Sequence, residues 1–173
     1  MRRILRDGTI FSLAGSLYLL ALLWHNPRLV LNEGDYPPDV LAAAPPKTDD
    51  EQRQAIVWGI PFLLWSFAFP LASARSLKRD LGGQVSFREL FLHVFGVLNV
   101  FNLTDLIVLD WLVFCTLTPG FLVIPGTEGL AGYKDYGFHL KGHMARGLPL
   151  LVLSAAAIAA VAWLLPGGSA RPG

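Results

Sequence analysis

Residues 91–110, FLHVFGVLNVFNLTDLIVLD, decide how the chain is read. The stretch is long and apolar enough to cross a bilayer, which takes about 20 predominantly apolar residues in helical form. It nevertheless carries His93, Asn99, Asn102, Thr104, Asp105 and Asp110. A carboxylate near hydrocarbon must find a partner, water or a proton, so an ionisable group here marks a candidate functional site. Asn99, Asn102 and Asp105 follow one another at i, i+3, i+6 and trace a polar ridge along one side of a helix. As interhelical glue such groups contribute only about 0.6 kcal/mol per bond in membranes. Glue accounts for the asparagines. It accounts less well for Asp105, because a neutral residue would serve without the cost of burying a charge. Asp105 is therefore the candidate catalytic residue, as proton acceptor, ligand or orienter of a histidine.

The rest of the chain has the same character. Of 173 residues, 53% are hydrophobic and 16% charged, whereas charged residues make up about a quarter of an ordinary soluble domain. A net charge of +1 provides no basic face for nucleic acid. The one cysteine, Cys115, cannot close an internal disulfide, and no C-x-x-C supports a thiolate metal site. The reading is an all-α, polytopic integral membrane protein: residues 1–173 form a single membrane domain, a bundle of four transmembrane helices in contact with the lipid bilayer.

The spans are predicted at about 9–25, 55–74, 88–115 and 147–165, by length and apolarity. The start, MRRILRD, resembles the basic flank of a signal peptide, but Trp24-His25-Asn26-Pro27 stand where a small-residue cleavage site belongs, so the first span is read as uncleaved. Pro61 and Pro70 predict a kink in the second span, tolerated because neighbours satisfy the freed carbonyls. Thr48 with Glu51, and Ser86 with Glu89, have the capping-box spacing and open the second and third spans. Residues 26–54 and 116–146 become outer loops, the second made of turns with a short helix near 136–146, and residues 75–87 become an inner loop. Arg2, Arg3, Arg6, Arg75, Lys78, Arg79, Arg88 and Arg171 share one side and Arg28, Lys47, Arg53, Lys134, Lys141 and Arg146 the other; the first group is packed into shorter segments and the loop 26–54 opposite it is net acidic, which predicts both termini in the cytoplasm. Trp24, Trp58 and Trp111 then fall at the outer interface and Trp163 at the inner one. The expected setting is a prokaryotic plasma membrane.

Helical rise turns this topology into depth. Counted from Glu89, Asp105 lies roughly 24 Å and Asp110 roughly 31 Å up the third helix, at about 1.5 Å per residue. His25 and residues 128–143 fall on the same side, so a His/Asp cluster gathers at the outer helix ends. His139 and His143, in HLKGH, have the i, i+4 spacing that sets two imidazoles on one helix face, as metal sites do. The glutamate of H-E-x-x-H is absent. The candidate metal ligands are His139, His143, Asp110 and His25, for a divalent ion such as zinc or iron; the candidate ligand-binding residues are Asn102, Asp105 and Glu128. His93 stands alone near the inner end, which disfavours a bis-histidine haem. No hydrolase, kinase or dehydrogenase signature is present, and no reaction is assigned. Two other readings compete with a metal or small-ligand site. One is a non-catalytic subunit for a membrane partner or a second copy, packing through the alanine-rich fourth span. The other is a small proton-coupled carrier using Asp105, although no internal repeat supports transport.

Overall fold

The structure, a computed structural model, describes residues 1–30 and 35–166. Arg171 and the C-terminus, used above for orientation, lie outside the described residues. Among those described there is no strand, and four helices are long and apolar enough to cross a membrane. They are α1 (Arg2–His25), α3 (Asp49–Asp80), α4 (Phe87–Leu117) and α5 (Tyr136–Leu164), with a short α2 (Pro38–Ala43) in the first long connection. Each long helix extends beyond its purely apolar stretch.

Both capping boxes form. Thr48 Oγ1 accepts from Glu51 N at 3.2 Å while Glu51 Oε2 accepts from Thr48 N at 2.8 Å, and Ser86 and Glu89 repeat the exchange at 3.3 and 2.9 Å. Orphan donors at both helix starts are thereby satisfied. α3 continues as one helix through Pro61 and Pro70.

The helices alternate in direction. At the end that carries Met1, Arg3 pairs with Asp80 at 2.6 Å, joining the start of α1 to the end of α3. Lys78, buried, donates to the carbonyls of Trp163 and Leu165, both at 2.7 Å, and so caps the end of α5 from a neighbouring helix. Between these ends lies a core of Phe11, Leu90, Val94, Val97 and Ile158 with the alanines Ala155, Ala159 and Ala162. The alanines recur at i, i+4, i+7 and form a smooth stripe that allows close packing. Glycine does the same between α1 and α4: a Cβ on Gly8 would lie 2.7 Å from Val100 Cβ.

The opposite end carries a second core. The two long connections, expected as outer loops with turns and a short helix in the second, pack on each other and on the end of α4. Tyr36, Val40, Phe114, Cys115, Leu122, Ile124 and Tyr133 are all buried there. Backbone groups that the turns leave over are met by side chains, as burial requires. Tyr133 Oη accepts from Ile124 N at 3.0 Å, Tyr36 Oη donates to Leu122 O at 3.1 Å, and Asp39 accepts from Gly132 N at 2.8 Å. Burial, then Tyr133 and Asp35, push the Tyr36 phenol above its ordinary value, so it stays a neutral donor. Lys134 donates to Cys115 O at 2.8 Å and Thr118 Oγ1 at 2.7 Å, closing α4 where Thr118 turns left-handed at φ 43°. Arg28 ties the first connection to α3 through Glu51 at 2.5 Å.

Candidate functional site

The site depends on a change of helical winding. From Asp105 to Leu117, α4 is a π-helix. Thr118 N bonds to Val113 O at 2.9 Å and Thr116 Oγ1 to Trp111 O at 2.7 Å, each five residues back. In an α-helix two residues five apart point about 140° away from each other. Hydrogen bonding to the fifth residue widens the turn and reduces that angle, and π segments are frequent at functional sites. Here it turns Asp105 and Asp110 to the same side. A second π segment, His143–Gly147, lies opposite in α5.

Asp110 stands between two imidazoles. Its Oδ2 is 2.9 Å from His143 Nε2 and its Oδ1 is 3.3 Å from His139 Nδ1. The other nitrogen of His143, Nδ1, meets Asn102 Oδ1 at 2.8 Å, and Asp105 Oδ2 lies 3.9 Å from His143 Nε2. His139 is only 4% exposed, with the Phe114 ring at 4.8 Å and the Phe138 ring at 5.3 Å, both edge-on. Its Nε2 is buried without a hydrogen-bond partner.

A carboxylate only accepts, so both ring nitrogens facing Asp110 carry protons. His139 is thereby held with its Nε2 lone pair unused. His143 has a different freedom. Asn102 can accept from a protonated Nδ1 or, with its amide turned over, donate to an unprotonated one. The ring can therefore gain or lose a proton at Nδ1 while both of its hydrogen bonds persist.

These groups form one end of a cavity of about 640 Å³ between the helices. The walls are apolar: Leu19 and Leu23 of α1, Trp58 and Phe62 of α3, Phe101 of α4 and Leu150 of α5. Asp105, Asp110, His139 and His143 line the polar end, together with Asp35 and Arg146.

Of the residues singled out in the sequence, Asn102, Asp105, Asp110, His139 and His143 come together. Glu128 does not join them. It is exposed in the turn after Pro125, where its two oxygens accept from Gly126 N at 3.1 and 3.0 Å. A hydrogen bond from its own backbone N–H, and then those from Gly126, hold its carboxyl below the ordinary value. His25 is the exposed last residue of α1 and does not line the cavity. Among the described residues no group of three or more His, Cys, Asp or Glu side chains is arranged to hold a metal ion. The reason is visible in the contacts: both oxygens of Asp110 are taken up by ring nitrogens, so the donors of HLKGH face a carboxylate rather than a common centre. Asp35, Arg146 and the aromatic walls belong to the site and carry no signal in the sequence beyond charge and hydropathy.

No protein-family model matches the chain, and no curated protein or solved structure matches it either.

Proposed function

We propose that this is an integral membrane protein that binds a small amphiphilic molecule between its helices, with the charge on the His143 ring setting how tightly the head group is held. The observation that carries the reading is the cavity of about 640 Å³ with apolar walls and a carboxylate gripping two imidazoles at one end. Such pockets, apolar with a few convergent polar groups, are where small ligands bind. The walls suit an apolar chain or ring. The polar end suits a head group that donates hydrogen bonds, a hydroxyl or an amine, because the carboxylates lining it accept them. The basic residues Arg2, Arg3, Arg6, Arg75, Lys78, Arg79 and Arg88 lie at the opposite end of the bundle, which by the positive-inside rule supports a cytoplasmic setting for that end and an outer-leaflet setting for the cavity.

Gly59 provides the test. It lines the cavity on α3, and a Cβ built there meets nothing within 4 Å, so Gly59→Phe fills the cavity with little strain on the fold. Small molecules extracted from purified wild type in lipid nanodiscs are compared by mass spectrometry with those from Gly59→Phe and His143→Gln. The wild type should hold an amphiphile that Gly59→Phe lacks, and His143→Gln should bind it without the pH dependence seen in wild type. An identical set of molecules from wild type and Gly59→Phe would sink the reading and leave the polar cluster as interhelical packing.

A further inference from the structure

A second buried polar centre lies at the other end of the bundle, built from three helices and sharing no residue with the cavity. Ser73 of α3 donates to Asp7 Oδ2 of α1 at 2.5 Å, and the same hydroxyl oxygen is 2.7 Å from Nε2 of His93 on α4. Asp7 is 5% exposed, Ser73 8% and His93 4%. On its outer side Asp7 Oδ1 accepts from Arg6 Nε at 2.8 Å, and the Arg6 side chain is 64% exposed. The chain of contacts thus runs from water at the helix end to an imidazole inside the bundle.

The three residue types are those of a hydrolytic triad, but the connections are not. In a triad the carboxylate holds the imidazole and the imidazole takes the serine proton. Here the carboxylate takes the serine proton, which leaves the hydroxyl no hydrogen to give a base. Since the hydroxyl donates to Asp7, His93 must donate Nε2–H to Ser73 Oγ. Every hydrogen bond points the same way, from His93 through Ser73 to Asp7. Packing alone would be met by neutral amides, without the cost of burying a carboxylate.

We propose that His93, Ser73 and Asp7 form a proton path between His93 and the solvent at the Met1 end of the bundle. In the outward step an imidazolium at His93 gives its Nε2 proton to Ser73 Oγ as the serine proton passes to Asp7. The neutral Asp7 carboxyl then releases a proton to water beside Arg6. One proton leaves His93 and one reaches solvent, and the inward step is the reverse. The charged groups whose fields reach the ring are Asp7, Arg3 and the amino group of Met1, all at the start of α1. From α3 the ring meets Ser73, and α5 presents its alanine stripe to α4.

Proton exchange at His93 is the measurement, made by NMR on full-length protein with 15N-labelled histidine in nanodiscs, the ring signal assigned by its loss in His93→Gln. In wild type the Nε2 proton should exchange with water within seconds. Ser73→Ala should slow exchange at least tenfold, and Ser73→Thr should restore it. Asp7→Asn, of the same shape, should also slow it and carries the test if Ser73→Ala does not fold. A purely structural role predicts the opposite sign, because loosening the helices admits water. Unchanged or faster exchange in the folded variants overturns the proposal, as does a wild-type ring proton that persists for hours.

Discussion

Asparagine at position 110 isolates what the Asp110 carboxylate does, because it keeps size and shape while turning one of two acceptors into a donor. Asp110 receives His143 Nε2 at 2.9 Å and His139 Nδ1 at 3.3 Å. The amide oxygen keeps the shorter contact, so the amide N–H turns to His139 Nδ1. That ring must then shift its proton to Nε2, which is buried and partnerless. An orphaned buried donor costs about 1–3 kcal/mol, and the surviving bond loses roughly half its strength with the charge. The expected loss for Asp110→Asn is about 2–4 kcal/mol. At about 2–4 °C per kcal/mol for a chain of this length, the unfolding midpoint should fall by roughly 5–15 °C. Interhelical glue of the ordinary kind, at about 0.6 kcal/mol, would move it by only about 2 °C. Thermal unfolding in one detergent, followed by tryptophan fluorescence, separates the two. A shift of about 2 °C or less, or a stabilised variant, refutes the claim that one carboxylate holds both rings.

Two further outcomes follow from the structure. Gly8→Ala should destabilise more than Gly96→Ala: at Gly8 the new Cβ meets Val100 Cβ at 2.7 Å and its two Cγ atoms at 2.8 and 3.0 Å, whereas at Gly96 it meets Ile4 Cγ2 at 2.7 Å. Val100 Cβ is fixed to the backbone of α4, so α1 must move away at an overpacking cost of about 1–3 kcal/mol; at Gly96 one methyl of Ile4 must move, by a χ1 change that a β-branched residue in a helix resists but that leaves both backbones in place. The reverse order of unfolding midpoints would contradict the close approach at Gly8. The turn at Glu128 should loosen in acid. Its carboxyl is held below the ordinary value of 4.5 by hydrogen bonds from its own backbone and from Gly126. A depressed carboxyl contributes above its unfolded value and loses that contribution as pH falls through the folded one. Hydrogen exchange at Gly126, corrected for its intrinsic rate, should therefore accelerate below about pH 4 in wild type and be insensitive to pH in Glu128→Gln. Equal protection of wild type at pH 3 and pH 6 would count against the turn.

What could be read from the sequence divides along a physical line. Spans and helix starts are local properties: hydropathy over twenty residues and a Thr48–Glu51 or Ser86–Glu89 pair each speak for themselves. The ridge of Asn102 and Asp105 follows from ordinary helical spacing. Asp110 does not, since at α-helical pitch it would face about 140° away from Asp105, and nothing in LIVLD announces the π winding that turns it back. Only the presence of two carboxylates five apart in an apolar run hints that the pitch must change. The second core was hidden for another reason. Tyr36, Phe114, Leu122 and Tyr133 lie far apart in the chain with no common period, so their association rests on tertiary contacts such as Tyr36 Oη to Leu122 O.

Asp7 shows how local reading can mislead. In MRRILRD it looks like one acid among arginines, a solvated flank before the first span. Because α1 begins at Arg2, that residue is already inside the bundle and buried, and Ser73 and His93 arrive from helices some seventy and ninety residues away. Both polar centres thus arise from one construction: an apolar bundle in which each helix contributes one or two ionisable or hydroxyl groups, harmless in sequence and costly to bury singly. Only when two helices at one centre and three at the other bring theirs together do the groups satisfy one another. α4 carries members of both centres, His93 below and Asn102, Asp105 and Asp110 above. A variant that pushes α1 away from α4, as Gly8→Ala should, is therefore expected to disturb proton exchange at His93 and ligand retention in the cavity together. A substitution confined to either centre should disturb only its own.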